Sequence, residues 1–235
     1  MKVFGLTLII AMLLCSSAFA EEIRPPIISV SGEGFVETQP NRATISVSVI
    51  TRAKDPSAVQ TSNAQATASV VKAIGALGVE RKNISTGNYS FNPLYRHTTD
   101  GRNEVDGYEA INSVTVIVDD LNLVGRVIDT ALKQGANRVN NLNFGLRDKS
   151  SAQDEALKLA ILDARHKADV VARALGKSIV GVRSVSVNST SMSSPRNYKM
   201  MRAVAAEDST NVETPIESGT LRCTASVHVE FEISR

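Results

Sequence analysis

Tryptophan is absent from this 235-residue chain and cysteine occurs only twice. Cys15 falls within the first 20 residues, "MKVFGLTLIIAMLLCSSAFA", which read as an export leader. Lys2 supplies the positive start, Val3 to Leu14 the apolar centre, and Ala18-Phe19-Ala20 a small-residue cleavage site. Cleavage after Ala20 leaves Cys223 alone, which excludes an internal disulfide. Stability in an oxidising compartment must then come from a packed core or from association. The leader's apolar run is shorter than the roughly 20 residues that span a bilayer. Met12-Leu13-Leu14 before Cys15 is not the small-residue box of a lipoprotein. No later run is apolar enough to cross a membrane, so residues 21–235 are expected as a soluble periplasmic product forming a single domain.

An excess of charge is lacking as well. The chain has 26 Lys and Arg against 24 Asp and Glu, a net charge of +2, and losing Lys2 with the leader moves it closer to zero. No basic run occurs. A nucleic-acid interface needs Lys and Arg gathered on one face, so nucleic acid is excluded as a partner. Catalytic signatures are missing too. No G-x-S-x-G elbow is present. Gly32-Glu33-Gly34 lacks the third glycine of a dinucleotide fingerprint, and a strand rather than a helix follows it. A bulge or a close backbone approach is the better reading of that pair. The three histidines, His97, His166 and His228, are far apart in sequence. Asp163, His166 and Asp169 share a helical stripe that a charged surface explains more simply than a metal. No cofactor and no metal are expected, and the chain reads as a non-enzyme.

Period-two alternation is abundant. Leu221, Cys223, Ala225, Val227, Val229, Phe231 and Ile233 alternate with polar residues, as do Ala43, Ile45, Val47 and Val49. Further strands are expected at 28–38, 84–96, 105–119, 139–147 and 179–188. One apolar and one wet face mark antiparallel sheet. Three helices separate the strands. The first opens at Asp55-Pro56, a cap followed by proline, with Val59, Ala66, Val70, Ile74 and Leu77 as its stripe. The second begins near Asp120, with Leu121, Val124, Ile128, Ala131 and Leu132 facing the core. The third covers about 151–175, with Leu157, Ala160, Ala164, Ala168, Val171 and Leu175 inward. The order β-β-α-β-β-α-β-α-β-β is α+β, with helices stacked on mainly antiparallel sheet. The β-β-α stretches at 28–78 and 84–135 would suit an internal duplication, although their residue identity is poor.

Residues 188–214 are rich in Ser, Thr and Asn and are expected to form a long mobile loop. Met192, Met200 and Met201 all lie in it. Together with Cys223 they are the candidate redox residues, as a sink for oxidants, although Cys223 falls on the apolar face of its strand and reads as a small core residue. Tyr89, Phe91 and Tyr95 share one side of a strand close to Tyr108 on the next. They pack across strands or form an exposed surface for self-association, and are the candidate association residues. The loops at 97–107 and 188–214 are the segments available to a small-ligand or peptide-binding module.

Several short stretches recur in a known arrangement. They are Gly32-x-Gly34; "QPNRATISVSV", where Pro40-Asn41 replaces the usual Pro-Asp; Gly78; and "ISTGNYSFNPLY" with Thr86, Tyr89, Pro93 and Tyr95. They continue with Gly107-Tyr108-Glu109-Ala110, "DDLNLVGRVIDTALKQGA", Asp163-Ala164-Arg165 with Lys167-Ala168, and "TPIESG". In this order they resemble the SIMPL-domain family, of the YggE and periplasmic immunogenic antigen type. The resemblance implies export in bacteria, an α+β fold, homo-oligomers and a link to envelope and oxidative-stress responses. It implies no catalytic set and no cofactor.

Overall fold

A computed structural model describes residues 25–97, 99, 101–193 and 214–235. The expected leader and cleavage site, Met200 and Met201 lie outside the described residues. The elements are β1 (Ile27–Thr38), β2 (Arg42–Ala53), α1 (Pro56–Ala76), β3 (Ile84–His97), β4 (Asn103–Val118), α2 (Val124–Lys133), β5 (Arg138–Gly145), α3 (Ser150–Ala174), β6 (Ile179–Ser193) and β7 (Leu221–Ile233). Single 3₁₀ turns occupy Arg81–Asn83 and Leu121–Leu123. The α+β order read from periodicity is the order observed.

Among the described residues all strand pairing is antiparallel, in two sheets. One has three strands in the order β1-β7-β6, and the other four in the order β3-β4-β2-β5. The chain starts in the three-stranded sheet, leaves it for β2 to β5, and returns for α3, β6 and β7. Consequently β1 and β2 lie in different sheets, whereas β3 and β4 pair. The two β-β-α stretches that suited a duplication are not equivalent units.

Local chemistry sets the helix ends. Asp55 Oδ1 accepts the Ala58 N–H at 2.8 Å and Pro56 takes the first turn of α1. Such a cap stabilises by about 1 kcal/mol. Gly78 ends the segment at φ 94°, a conformation costly for any residue with a Cβ. The inner face of the four-stranded sheet, including Ile45, Val47, Val114 and Val116, packs on Val70 and Ile74 of α1 and on Val124, Val127 and Ala131 of α2. The three-stranded sheet makes its own core from Ile28, Cys223, Ala225, Val227, Val229, Phe231 and Ile233 against α3. Each fully buried aliphatic side chain contributes about 1.5–3 kcal/mol.

The inner stripe of α3 differs from the expected one. Ala156, Ala160, Ala164, Ala168 and Ala172 are buried, while Val171 and Leu175 are 40% and 61% exposed. The helix lies so close to β1 that only methyl groups fit beneath it, and the larger side chains are turned outward. Leu132 of α2 is likewise exposed, because it is one position past Ala131 and falls off the Val124, Val127, Ile128, Ala131 stripe. At the far end, β6 extends to Ser193 instead of yielding to a loop at 188. Ser191 Oγ and Thr224 Oγ1 are hydrogen-bonded at 2.8 Å, and Met192 packs on the core opposite Cys223.

Candidate functional site

Gly32 and Gly34 are packing residues. A Cβ on Gly32 would stand 2.0 Å from the Ala160 carbonyl oxygen, and one on Gly34 2.3 Å from that of Ala156. The β1–β7 register is unbroken across both, so the pair serves a close helix–strand approach and not a bulge.

The aromatic residues converge on the β3–β4 hairpin. Tyr89 lies opposite Asn112, Phe91 opposite Ala110 and Pro93 opposite Tyr108. Ala110 is buried on the side covered by α1, so Tyr89, Phe91 and Tyr108 share that side. The Phe91 and Tyr108 rings stack with centroids 5.7 Å apart and planes 24° from parallel. Beyond a register shift, Tyr95 pairs with Val105. β2 ends at Ala53 opposite Tyr108, so the outer hairpin continues without a third strand. Tyr89, Phe91 and Tyr95 remain 50%, 37% and 63% exposed, and Val105 is exposed beside them.

A residue that the apolar stripe concealed anchors the hairpin base. Asn63, buried in α1, donates from Nδ2 to the Val49 and Ala110 carbonyls and to Thr51 Oγ1, at 2.8–3.2 Å. Its legible signal was a polar residue in step with Val59, Ala66 and Val70. Asn63 Oδ1, Thr67 Oγ1 and Asn112 Oδ1 are buried without a protein partner. Internal water typically satisfies such acceptors.

The sulfur residues are arranged differently. Cys223 is fully buried between Val36 on β1 and Met192 on β6, and burial pushes its thiol pKa up. A reactive cysteine needs access and a depressed pKa. Met192 is partly buried against the same core.

The histidines remain separate. His228 Nε2 lies 2.9 Å from Ser29 Oγ and its Nδ1 3.2 Å from Ser31 Oγ, on the open face of the three-stranded sheet. His97 and His166 are exposed. Asp163 pairs with Lys167 at 2.7 Å and accepts the Glu33 N–H at 2.8 Å, which together hold its carboxyl below the usual carboxylate range. Among the described residues no group of three His, Cys, Asp or Glu converges for a metal. A cavity of about 480 Å³ borders Glu33, Phe35, Arg222 and Thr224. The Arg222 guanidinium there is already engaged, 4.5 Å above the Phe35 ring and 2.6 Å from Glu37.

Where the chain passes between sheets, Asp119 bridges Arg42 at 2.7 Å and Arg147 at 2.5 Å. The hydrogen bonds from the two guanidinium groups lower its pKa to about 2. Asn41 Oδ1 accepts the Arg147 N–H at 2.7 Å, so its amide oxygen ties the start of β2 to the segment after β5.

Residues 28–231 match SIMPL, described as a protein of unknown function (DUF541). The chain belongs to the SIMPL family. It is 31% identical over 228 residues to the 26 kDa periplasmic immunogenic protein of Brucella melitensis, covering 92% of this chain and 90% of that one. It is 26% identical to the uncharacterized protein YggE of Edwardsiella ictaluri, with the same two shares. To YggE of Escherichia coli it is 27% identical, covering 88% and 83%. The SIMPL match thus takes in both sheets and all three helices. No helix among the described residues is long and apolar enough to cross a membrane.

Proposed function

We propose that this SIMPL protein is exported to the periplasm, with its leader removed after Ala20, and acts there by self-association as a structural or stress-protective envelope component without catalytic activity. The observation that carries the reading is the aromatic hairpin. Tyr89 and Phe91 are left exposed where β2 still flanks the hairpin, and Tyr95 and Val105 are exposed further out, where the hairpin outruns β2. Patches of this kind mark interaction surfaces, and Tyr and Phe are favoured at interface centres. The periplasmic name of the Brucella relative supports the compartment.

The alternative of a thiol or methionine scavenger has less behind it, because the Cys223 thiol is enclosed and held protonated by burial. Peroxide consumption by C223A is expected to equal that of the wild type. A slower variant would restore the thiol reading. The test of the main proposal is molar mass by size-exclusion chromatography with light scattering, on protein beginning at Glu21. The expected result is a discrete oligomer that Y89S/F91S/Y95S dissociates with its fold intact. An unchanged mass in the variant would remove the hairpin from the interface.

A further inference from the structure

The two outer edges of the three-stranded sheet are treated differently. Along β1 the edge is closed from within. The Asp163 carboxylate accepts the Glu33 N–H, Lys167 Nζ donates to the Ser31 carbonyl at 3.0 Å, and the two side chains pair with each other. A strand arriving there would find these groups already in use. Along β6 no strand is hydrogen-bonded on the outer side among the described residues. β6 is 15 residues long and its one charged side chain, Arg183, is spent on Glu232 and the Pro25 carbonyl.

Edge strands in monomeric proteins are usually blunted by lysine, proline or an inward charge. From Ser184 to Ser193 β6 has none of these, and its one irregularity there is a register shift against β7 between Val187 and Ser189. Val182, Val185 and Val187 lie opposite buried Phe231, Val229 and Val227, so they share the core face. They are nevertheless 53%, 53% and 55% exposed, because α3 lies over β1 and β7.

We propose that β6 pairs with the β6 of a second copy, antiparallel about a two-fold axis, to make one six-stranded sheet from two three-stranded ones. The occupant follows from the edges. The closed β1 edge blocks head-to-tail pairing of β1 with β6 between copies, which leaves the like-with-like contact within this sheet. That contact is isologous and closes on itself. With the axis anywhere from Ser184 to Ser193, where the side chains are serine, valine, asparagine, threonine and methionine, no like charges come opposite one another. The β3 edge of the other sheet suits pairing less, since Pro93 within it lacks an N–H. This inference rests on the self-association reading but uses a surface separate from the aromatic hairpin.

The experiment combines light scattering on the mature protein with dipolar spectroscopy on a spin label attached through S186C, a position on the exposed side of β6. The expected result is label–label coupling in the oligomer. In V185K/V187K that coupling disappears and the mass falls about two-fold, as loss of one two-fold interface requires, with the far-ultraviolet dichroism retained. An oligomer without coupling between S186C labels overturns the β6 pair and leaves self-association standing, whether or not the lysine variant folds. A folded V185K/V187K of unchanged mass and coupling does the same. A monomeric wild type overturns both readings.

Discussion

Replacing Gly34 by alanine puts a methyl 2.3 Å from the Ala156 carbonyl oxygen and 2.4 Å from the Ala160 nitrogen, both backbone atoms that cannot step aside. Helix α3 must therefore lift from β1. G34A and G32A are each expected to destabilise by at least the 1–3 kcal/mol typical of an overpacked core, read as a lower urea midpoint with unchanged slope. Asn63 gives a second test at this scale. N63A strands the carbonyls of Val49 and Ala110 away from their donor, at about 1–3 kcal/mol in the same measurement. It also loosens the base of the aromatic hairpin, so its oligomer should dissociate at a higher protein concentration than the wild type.

At the scale of elements, what periodicity could reveal depended on whether both faces of an element differ in polarity. β7 was legible from Leu221 to Ile233, because one face is core and the other carries Arg222, Thr224, His228 and Glu230. α3 was legible as a helix but not in its orientation. Its inner face is alanine and its outer faces hold Leu159, Ile161, Leu162 and Leu175, reversing the usual rule that the bulkiest apolar residues point inward. The end of β6 was hidden because Ser189 to Ser193 have loop-like composition, and only their pairing with β7 makes them a strand. Sheet membership was beyond reach, since nothing local in β1 states that its partner lies near the opposite end of the chain. The aromatic cluster could be read from odd-numbered positions on one strand, whereas the edge closed by Asp163 and Lys167 could not, as it depends on where α3 comes to lie. That closure has its own test. D163A/K167A frees the β1 edge beside an already open β6 edge, so head-to-tail growth becomes available. The double variant is expected to form extended, concentration-dependent species in sedimentation velocity where the wild type gives a discrete one.

For the whole molecule, Asp119 is the fastening point. It sits at the end of β4 and takes Arg42 from the start of β2 and Arg147 from the segment leading to α3. Its carboxyl pKa falls from 3.8 to about 2 on folding. A lowered pKa stabilises the folded state above the unfolded value and withdraws that support as pH drops through the folded one. The contribution is therefore complete above pH 3.8 and disappears towards pH 2. The exposure of the trio keeps it modest, as for other solvated ion pairs. Thermal midpoints measured from pH 7 to pH 2 should decline more steeply below pH 4 in the wild type than in D119N. Identical slopes would show that the trio does not couple pH to stability.

The three-stranded sheet joins the beginning of the described chain to its end, with Ile27 opposite Glu232 and the Ile233 N–H donating to the Pro26 carbonyl at 2.9 Å. Its middle strand, β7, is also the last of the described strands in chain order. β1 and β6 have no hydrogen bonds to each other and wait for it, while residues 42–145 already contain every strand of the other sheet. That sheet therefore cannot assemble until β7 joins β1 and β6. A polypeptide terminated before Leu221 keeps every strand of the four-stranded sheet and leaves β1 and β6 without the strand that joins them, beside an alanine-faced helix.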